Sequence, residues 1–448
     1  MTIRWFKKAG WLILPCIILL MSSEKDLLAG PSEAKDTPPR HYTLSDLYQL
    51  ALQHAEEIRF AEENLLIAQE DKQRALSVII PRLSVFGDYI NYKDTDATFP
   101  KTVSYGAKFD QTFTTNGREL TALKMAGDYI SQNEFDLENI KEAYLFEVAT
   151  AYYGILRTTK TLEISKADVN RLKQHKEAVK SRFDLGDVTK TAMIRADAEL
   201  SGSKSILVRS ENALHLARFA LSRLVPLPMD YLISDPAFSI HPISYELAQV
   251  KKEAVLDRAD LKALKKLTEA SLKQIKWSKG AYYPVLSLEG KYFDTESEWS
   301  ETDPMTGMDN FNTDNYSIHL QLIFTLFDGG LKKAELRQAR AQYRQALLLY
   351  QSKVKEVCLA VETAYLDLVT QKSMLQSLED QLKFSEENFK AITEQFDIGL
   401  SNSIDVMDAN TLLVKAEREF SDARFKYVLA DLNLKRAKGS FMNQVQKK

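Results

Sequence analysis

Two hydrophobic periods alternate along this chain, and the alternation occurs twice. Steps of three and four carry apolar or small residues through Val354, Val357, Val361, Ala364, Leu368, Leu375, Leu378, Leu382, Phe389, Ile392 and Phe396, with Gln371 and Ser385 filling the gaps. That is a heptad seam, and it predicts one long helix burying a stripe against a neighbour. A copy runs through Tyr144, Val148, Ala151, Ile155, Leu162, Val169, Leu172, Val179 and Phe183, interrupted by Thr158, Ser165 and Lys176. A helix from Glu119 to Leu185, rising about 1.5 Å per residue, would be about 100 Å long, the length of a rod or a tunnel wall. Gly186 and Gly399 follow the seams, where a left-handed residue ends a helix. Thr189, and Asn402 or Ser403, can cap the next one, so each seam closes as a tight helical hairpin.

Between the helical stretches the period drops to two. Leu286, Leu288, Gly290 and Tyr292 alternate with Ser287, Glu289 and Lys291, and Ile318, Leu320, Leu322, Phe324 and Leu326 alternate with His319, Gln321 and Thr325. The first half repeats this more weakly, with Leu83, Val85 and Tyr89, then Tyr105, Ala107, Phe109 and Phe113. These runs approach the roughly 9–11 residues of a tilted membrane strand. A half-buried soluble sheet alternates in the same way, but no other segment supplies a core for its apolar face. In lipid an open sheet edge leaves backbone groups unsatisfied, so the strands must close into a barrel. Four strands are too few, since the smallest barrels have about eight, so identical copies must join.

The duplication can be checked residue by residue. Pro81, Leu83, Ser84, Gly87 and Tyr89 lie over Pro284, Leu286, Ser287, Gly290 and Tyr292, an offset of 284 − 81 = 203. Phe183-Asp184-Leu185-Gly186 lies over Phe396-Asp397-Ile398-Gly399, an offset of 396 − 183 = 213. The ten-residue difference falls in the polar stretch Asp294 to Asn315, which reads as a long exposed loop. The expected organisation is a signal peptide over 1–30, a first repeat over 31–225, a linker over 226–244, a second repeat over 245–438 and a tail over 439–448. Arg4, Lys7 and Lys8 before the apolar run Trp11 to Met21, with Leu27-Leu28-Ala29-Gly30 after it, have the layout of a secretory leader. An uncleaved anchor helix and a lipidated Cys16 are the alternatives.

Charge adds little, because 59 basic and 62 acidic side chains leave no bulk attraction to nucleic acid. Export would remove Cys16, leaving Cys358 without a disulfide partner in the same chain. The six histidines show no two-histidine helical spacing, and no phosphate loop or nucleophile motif stands out, so neither an enzyme nor a cofactor or metal is expected. Lys and Arg on the long helices read as solvated faces.

Four segments carry a family resemblance: Tyr283-Pro284-Val285-Leu286, Leu326-Phe327-Asp328-Gly329-Gly330, Phe396-Asp397-Ile398-Gly399-Leu400 and Ile404-Asp405-Val406-Met407-Asp408-Ala409. Their order and spacing resemble those of the TolC-like outer-membrane efflux proteins across the mature chain. The resemblance implies a mainly α fold with a small β part, in which duplicated long α-helical hairpins form a coiled-coil tunnel. Four membrane β-strands per protomer would contribute to a trimeric 12-stranded barrel in outer-membrane lipid. It further implies an exit duct for efflux or type I secretion, docked to a periplasmic adaptor (membrane fusion) protein and an inner-membrane pump of RND, ABC or MFS type. The rival reading is an elongated periplasmic coiled-coil scaffold without a pore.

Asp405 and Asp408 share a helix face, where carboxylates either ring a pore or favour a helix N-terminus. The resemblance implies a pore entrance or gate at Asp405, Asp408, Phe396 and Ser401, and adaptor-binding tips at Leu185, Gly186, Ile398, Gly399 and Leu400. Two departures stand out. The family's tyrosine, arginine and aspartate lock is replaced by Phe396, Ser401 and Ala192, so closure must use other contacts. At the first tip, Asp187 puts a charge where the second tip has Leu400.

Overall fold

The computed structural model describes residues 41–91, 101–228, 230–235, 238, 246–298 and 310–442. The leader expected at 1–30 and part of the linker lie outside the described residues. A two-residue strand β1 (His41–Tyr42) precedes helices α1 (Leu44–His54) and α2 (Glu56–Ser77), strands β2 (Arg82–Asn91) and β3 (Lys101–Thr114), and helices α3 (Arg118–Asp184) and α4 (Lys190–Leu224). After a short strand β4 (Leu232–Ile233), which pairs in parallel with β1, the order recurs. Helices α5 (Leu247–Asp257) and α6 (Ala259–Gly280) lead into strands β5 (Val285–Glu298) and β6 (Asn310–Ile323), then helices α7 (Leu331–Asp397) and α8 (Ser403–Lys438). Helices α3 and α7 have 67 residues each, about 100 Å at a rise of about 1.5 Å per residue.

Each repeat has its own core where the short helices lie against the long hairpin. Leu47 of α1, Ile58 of α2, Leu145 and Val148 of α3 and Leu221 of α4 are fully buried in the first. Val250, Leu261, Val361, Leu368 and Leu434 do the same work in the second. Phe441 falls in the stretch expected as a tail, yet it is 1% exposed and meets Tyr48 and Phe146 edge-on at 6.1 Å each. The end of the second repeat thus plugs the core of the first, because an aromatic ring of this size gains roughly 1.5–3 kcal/mol by leaving water.

The predicted seam of α7 is buried at Val357, Val361, Ala364, Leu368, Leu375, Ser385 and Phe396. Helix α3 buries more than its predicted seam, adding Leu145, Ala149, Tyr152 and Leu156. The reason is position: α3 packs against α4, α2, α6 and α8, whereas α7 lies at an edge of the protomer. Large apolar side chains remain exposed along that edge at Leu348, Leu349, Leu359 and Leu366. The opposite edge exposes Phe60 and Ile67 of α2 with Leu216 and Phe219 of α4.

The strands form one antiparallel sheet in the order β2-β3-β5-β6. Its register aligns Leu83, Phe109, Gly290 and Ile318 in one row and Val85, Ala107, Tyr292 and Tyr316 in the next. This face is bare: Val85 is 85% and Ile318 76% exposed. The other face is tied by polar cross-strand pairs, including Lys108 to Glu289 at 3.0 Å and Ser104 to Thr295 at 3.0 Å. Two strand boundaries differ from expectation. The stretch read as a loop from Asp294 to Asn315 is in part strand, with Asp294 opposite Asp314 and Glu298 opposite Asn310. Beyond the apolar rows both faces are polar, so the period-two signal disappears while the hydrogen-bond ladder continues. Conversely, Phe324 and Leu326 fall past the end of β6, because β5 starts at Val285 and offers no partner beyond Ile323.

Candidate functional site

The tips of the two long hairpins lie at the end of the molecule opposite the sheet. Both α3 and α7 end in a Schellman turn. At the first tip the Gly186 N–H donates to Phe183 O at 2.9 Å and the Asp187 N–H to Arg182 O at 2.9 Å. At the second the Gly399 N–H donates to Phe396 O at 3.0 Å and the Leu400 N–H to Gln395 O at 2.8 Å. Gly186 and Gly399 have φ of 83° and 81°, a region that costs other residues roughly 1–2 kcal/mol. These turns leave Leu185, Ile398 and Leu400 standing in solvent at 77%, 72% and 76% exposure.

Helix α8 begins with a capping box. The Asn402 side chain accepts from the N–H groups of Ile404 and Asp405 at 2.8 and 3.1 Å, while Asp405 Oδ2 accepts from the Asn402 N–H at 3.2 Å and the Ser401 hydroxyl at 3.1 Å. Asp405 and Ser401 are therefore partners, and Asp405 is tied to the helix start. Asp408, one turn on, pairs with Arg195 of α4 at 3.0 Å and keeps 66% of its side-chain surface exposed. Phe396 sits elsewhere. It is 2% exposed in a cluster with Val179 and Val406, so it packs between the hairpins of one protomer rather than lining an opening.

A polar seam joins α3 to the second hairpin. Arg182 donates to Phe396 O at 2.6 Å and to Asp397 O at 2.9 Å, with its guanidinium 4.1 Å from the Phe396 ring centre. A cation here meets the carbonyls at the C-terminus of α7, where the helix dipole favours positive charge. Farther from the tip, His175 Nε2 and Ser403 Oγ are 2.9 Å apart, and Arg171 grips Glu417 at 3.2 and 3.0 Å and Asn410 at 3.0 Å. Asn410 in turn donates to Asp168 at 2.8 Å. Burial pushes the His175 imidazole below its ordinary value of 6.5, with Arg182 acting in the same direction and Ser403 and Asp397 opposing. A cavity of about 300 Å³ lies within the seam, walled by Phe389, Phe396, His175 and Met407.

Sequence reasoning placed these basic residues on solvated faces. The overlooked signal is a second seam on α3, in which Ile164, Asp168, Arg171, His175, Ala178 and Arg182 follow one another at steps of three and four. A stripe that is polar at heptad spacing reads as solvent until a partner with matching polar groups is known. Among the described residues no group of histidine, cysteine or carboxylate side chains is arranged to hold a metal ion.

Comparison with known proteins gives a consistent result. The profile of the family described as outer membrane efflux protein matches residues 250–440. The outer membrane protein TolC of Escherichia coli K12 is 21% identical over 414 residues, covering 90% of this chain and 83% of TolC. The alkaline protease secretion protein AprF of Pseudomonas aeruginosa is 20% identical over 407 residues, covering 86% of this chain and 82% of AprF. Among solved structures, the outer membrane protein VceC of Vibrio cholerae superposes with a TM-score of 0.74 at 19% identity, covering 89% of this chain and 96% of VceC. The CmeC outer membrane channel of Campylobacter jejuni superposes at 0.77 with 14% identity, covering 90% and 88% of the two chains. Paired rods of about 100 Å beside an edge-open sheet with one apolar face define the fold, which is shared with outer-membrane channel proteins such as VceC and CmeC. Over residues 250–440 the chain matches the outer membrane efflux protein family, and its fold is that of the TolC-like channels.

Proposed function

We propose that the chain is the protomer of an outer-membrane exit duct in a tripartite efflux or type I secretion system, passing cargo from an inner-membrane pump through a helical tunnel and a shared barrel. The observation that carries this reading is the sheet. Its outer face is apolar and bare, and β2 and β6 are open edges. Unpaired backbone groups in lipid cost several kcal/mol each, so those edges must meet those of further copies. The helical part makes the same demand, since the bare apolar edge of α7 and that of α2 and α4 are different surfaces. Joining unlike edges generates a ring, and with four strands per copy a trimer gives the 12-stranded barrel. A coiled-coil scaffold without a pore has no use for a sheet of this kind.

In this reading Asp405 and Asp408 line the periplasmic entrance, where carboxylates gathered around the axis favour cations. Ser401 positions Asp405, and Phe396 with Arg182 and Arg195 forms the closing seam in place of the family's tyrosine lock. Leu185, Gly186, Ile398, Gly399 and Leu400 form the surface for a periplasmic adaptor, which links the duct to a pump of RND, ABC or MFS type. The test is to express the chain with its leader, isolate the outer membrane and look for heat-modifiable trimers that conduct in planar bilayers. Recovery as a soluble, elongated monomer would refute the duct. In such bilayers Asp405→Asn with Asp408→Asn should lower cation selectivity, and unchanged selectivity would remove both carboxylates from the entrance.

A further inference from the structure

The polar face of the sheet contains an exception. Facing away from the bare apolar rows, hydroxyl and charged side chains predominate, yet Phe86 of β2 and Phe293 of β5 lie on this side in a single cross-strand row with Gly106 of β3 between them. Gly106 is required there. A Cβ would collide with the Tyr292 carbonyl oxygen and come within 2.9 Å of Phe293 Cβ. In the adjacent row Lys291 reaches over both rings, its Nζ 4.4 Å from the centre of Phe86 and 4.7 Å from that of Phe293.

The neighbouring lysine behaves differently. Lys108 is neutralised by Glu289 at 3.0 Å and has Asp110 at 3.9 Å, whereas Lys291 makes no ion pair among the described residues. Its charge is held by two π faces, an arrangement worth roughly 0.5–2 kcal/mol that leaves the positive charge available to a second partner. Phe86 and Phe293 remain partly exposed, so the patch offers an apolar surface and a cation side by side.

We propose that Phe86, Lys291 and Phe293 form a contact site inside the barrel for amphipathic anions with a planar aromatic body, which stack on the rings while the acidic group pairs with Lys291. This rests on the closed-barrel reading, which turns the polar face into a lumen and repeats the patch around the axis at one height. The site then lies at the exit end of the duct, opposite in sign to the entrance carboxylates Asp405 and Asp408. Anionic aromatic cargo that has passed a cation-favouring entrance would meet a complementary surface before release.

The test uses the full trimer in planar bilayers, with naphthalene trisulfonate as the probe and sulfate as the non-aromatic control. The probe should reduce single-channel current at concentrations where sulfate does not. Lys291→Gln should weaken that effect roughly five- to tenfold, the loss of one close ionic contact near a wet surface. Phe86→Leu, which keeps bulk but removes the π face, should weaken it as well, while Lys291→Arg and Lys108→Gln should retain it. Equal inhibition by sulfate, or an unchanged response in both Lys291→Gln and Phe86→Leu, overturns the site while leaving the duct intact. A trimer that conducts nothing overturns the barrel reading itself, and the two failures are told apart by the wild-type current.

Discussion

Glu142 of α3 is 8% exposed, and its Oε1 has no hydrogen-bond partner. It faces Arg258 at the start of α6, Arg436 near the end of α8, Glu138 and Asp260 at the joint between the repeats. Burial dominates, and the carboxyl is raised from 4.5 to about 7 against the lowering effect of the two arginines. A carboxyl whose folded value lies above its unfolded one stabilises the fold fully below pH 4.5, and that contribution is lost as pH rises through about 7. At about 1.4 kcal/mol per pH unit the interval corresponds to about 3 kcal/mol per protomer. Glu142→Gln keeps the volume and removes the charge, so the variant should match the wild type near pH 4 and exceed it by up to about 3 kcal/mol at pH 8. Urea or guanidinium unfolding at the two pH values, followed by tryptophan fluorescence, measures this directly. A variant less stable than the wild type at pH 8 would refute the reasoning, because it would mean that Arg258 and Arg436 make the buried carboxylate a net stabilising partner.

Three further outcomes follow from the geometry. Arg182→Ala removes both bonds to the α7 carbonyls and the stacking on Phe396. It should loosen the tip by about 2 kcal/mol per protomer and raise single-channel conductance, whereas unchanged conductance would place the closing contacts elsewhere. Leu400→Asp, which gives the second tip the charge that Asp187 gives the first, should abolish efflux in a drug-susceptibility assay. Trimers should still form, and their loss would assign Leu400 to folding instead. Gly106→Val drives a side chain into Tyr292 and Phe293 and should eliminate heat-modifiable trimers from the outer membrane; normal trimer yield would contradict the close strand packing there.

Much of this molecule follows from local pattern. The heptad seam of α7 and the period-two rows of β5 and β6 each depend on one neighbour along one face, so the spacing of Val357, Val361 and Leu368, or of Ile318, Leu320 and Leu322, suffices to find them. Gly186 and Gly399 mark the tips because a left-handed turn restricts the residue type by itself. The two-fold register of the chain fixes which elements of the two halves correspond. Tertiary structure decided the rest where a residue's role depends on a partner far away in the chain. Phe396 became buried rather than pore-facing because α3 approaches α7 at that point, and Arg171, His175 and Arg182 turned from apparent surface charges into a seam because α8 and the end of α7 present matching acceptors. Phe441 joined the core of the opposite repeat for the same reason. Periodicity records which side of an element is hidden from water, and a polar side chain carries no such mark until its partner is in place.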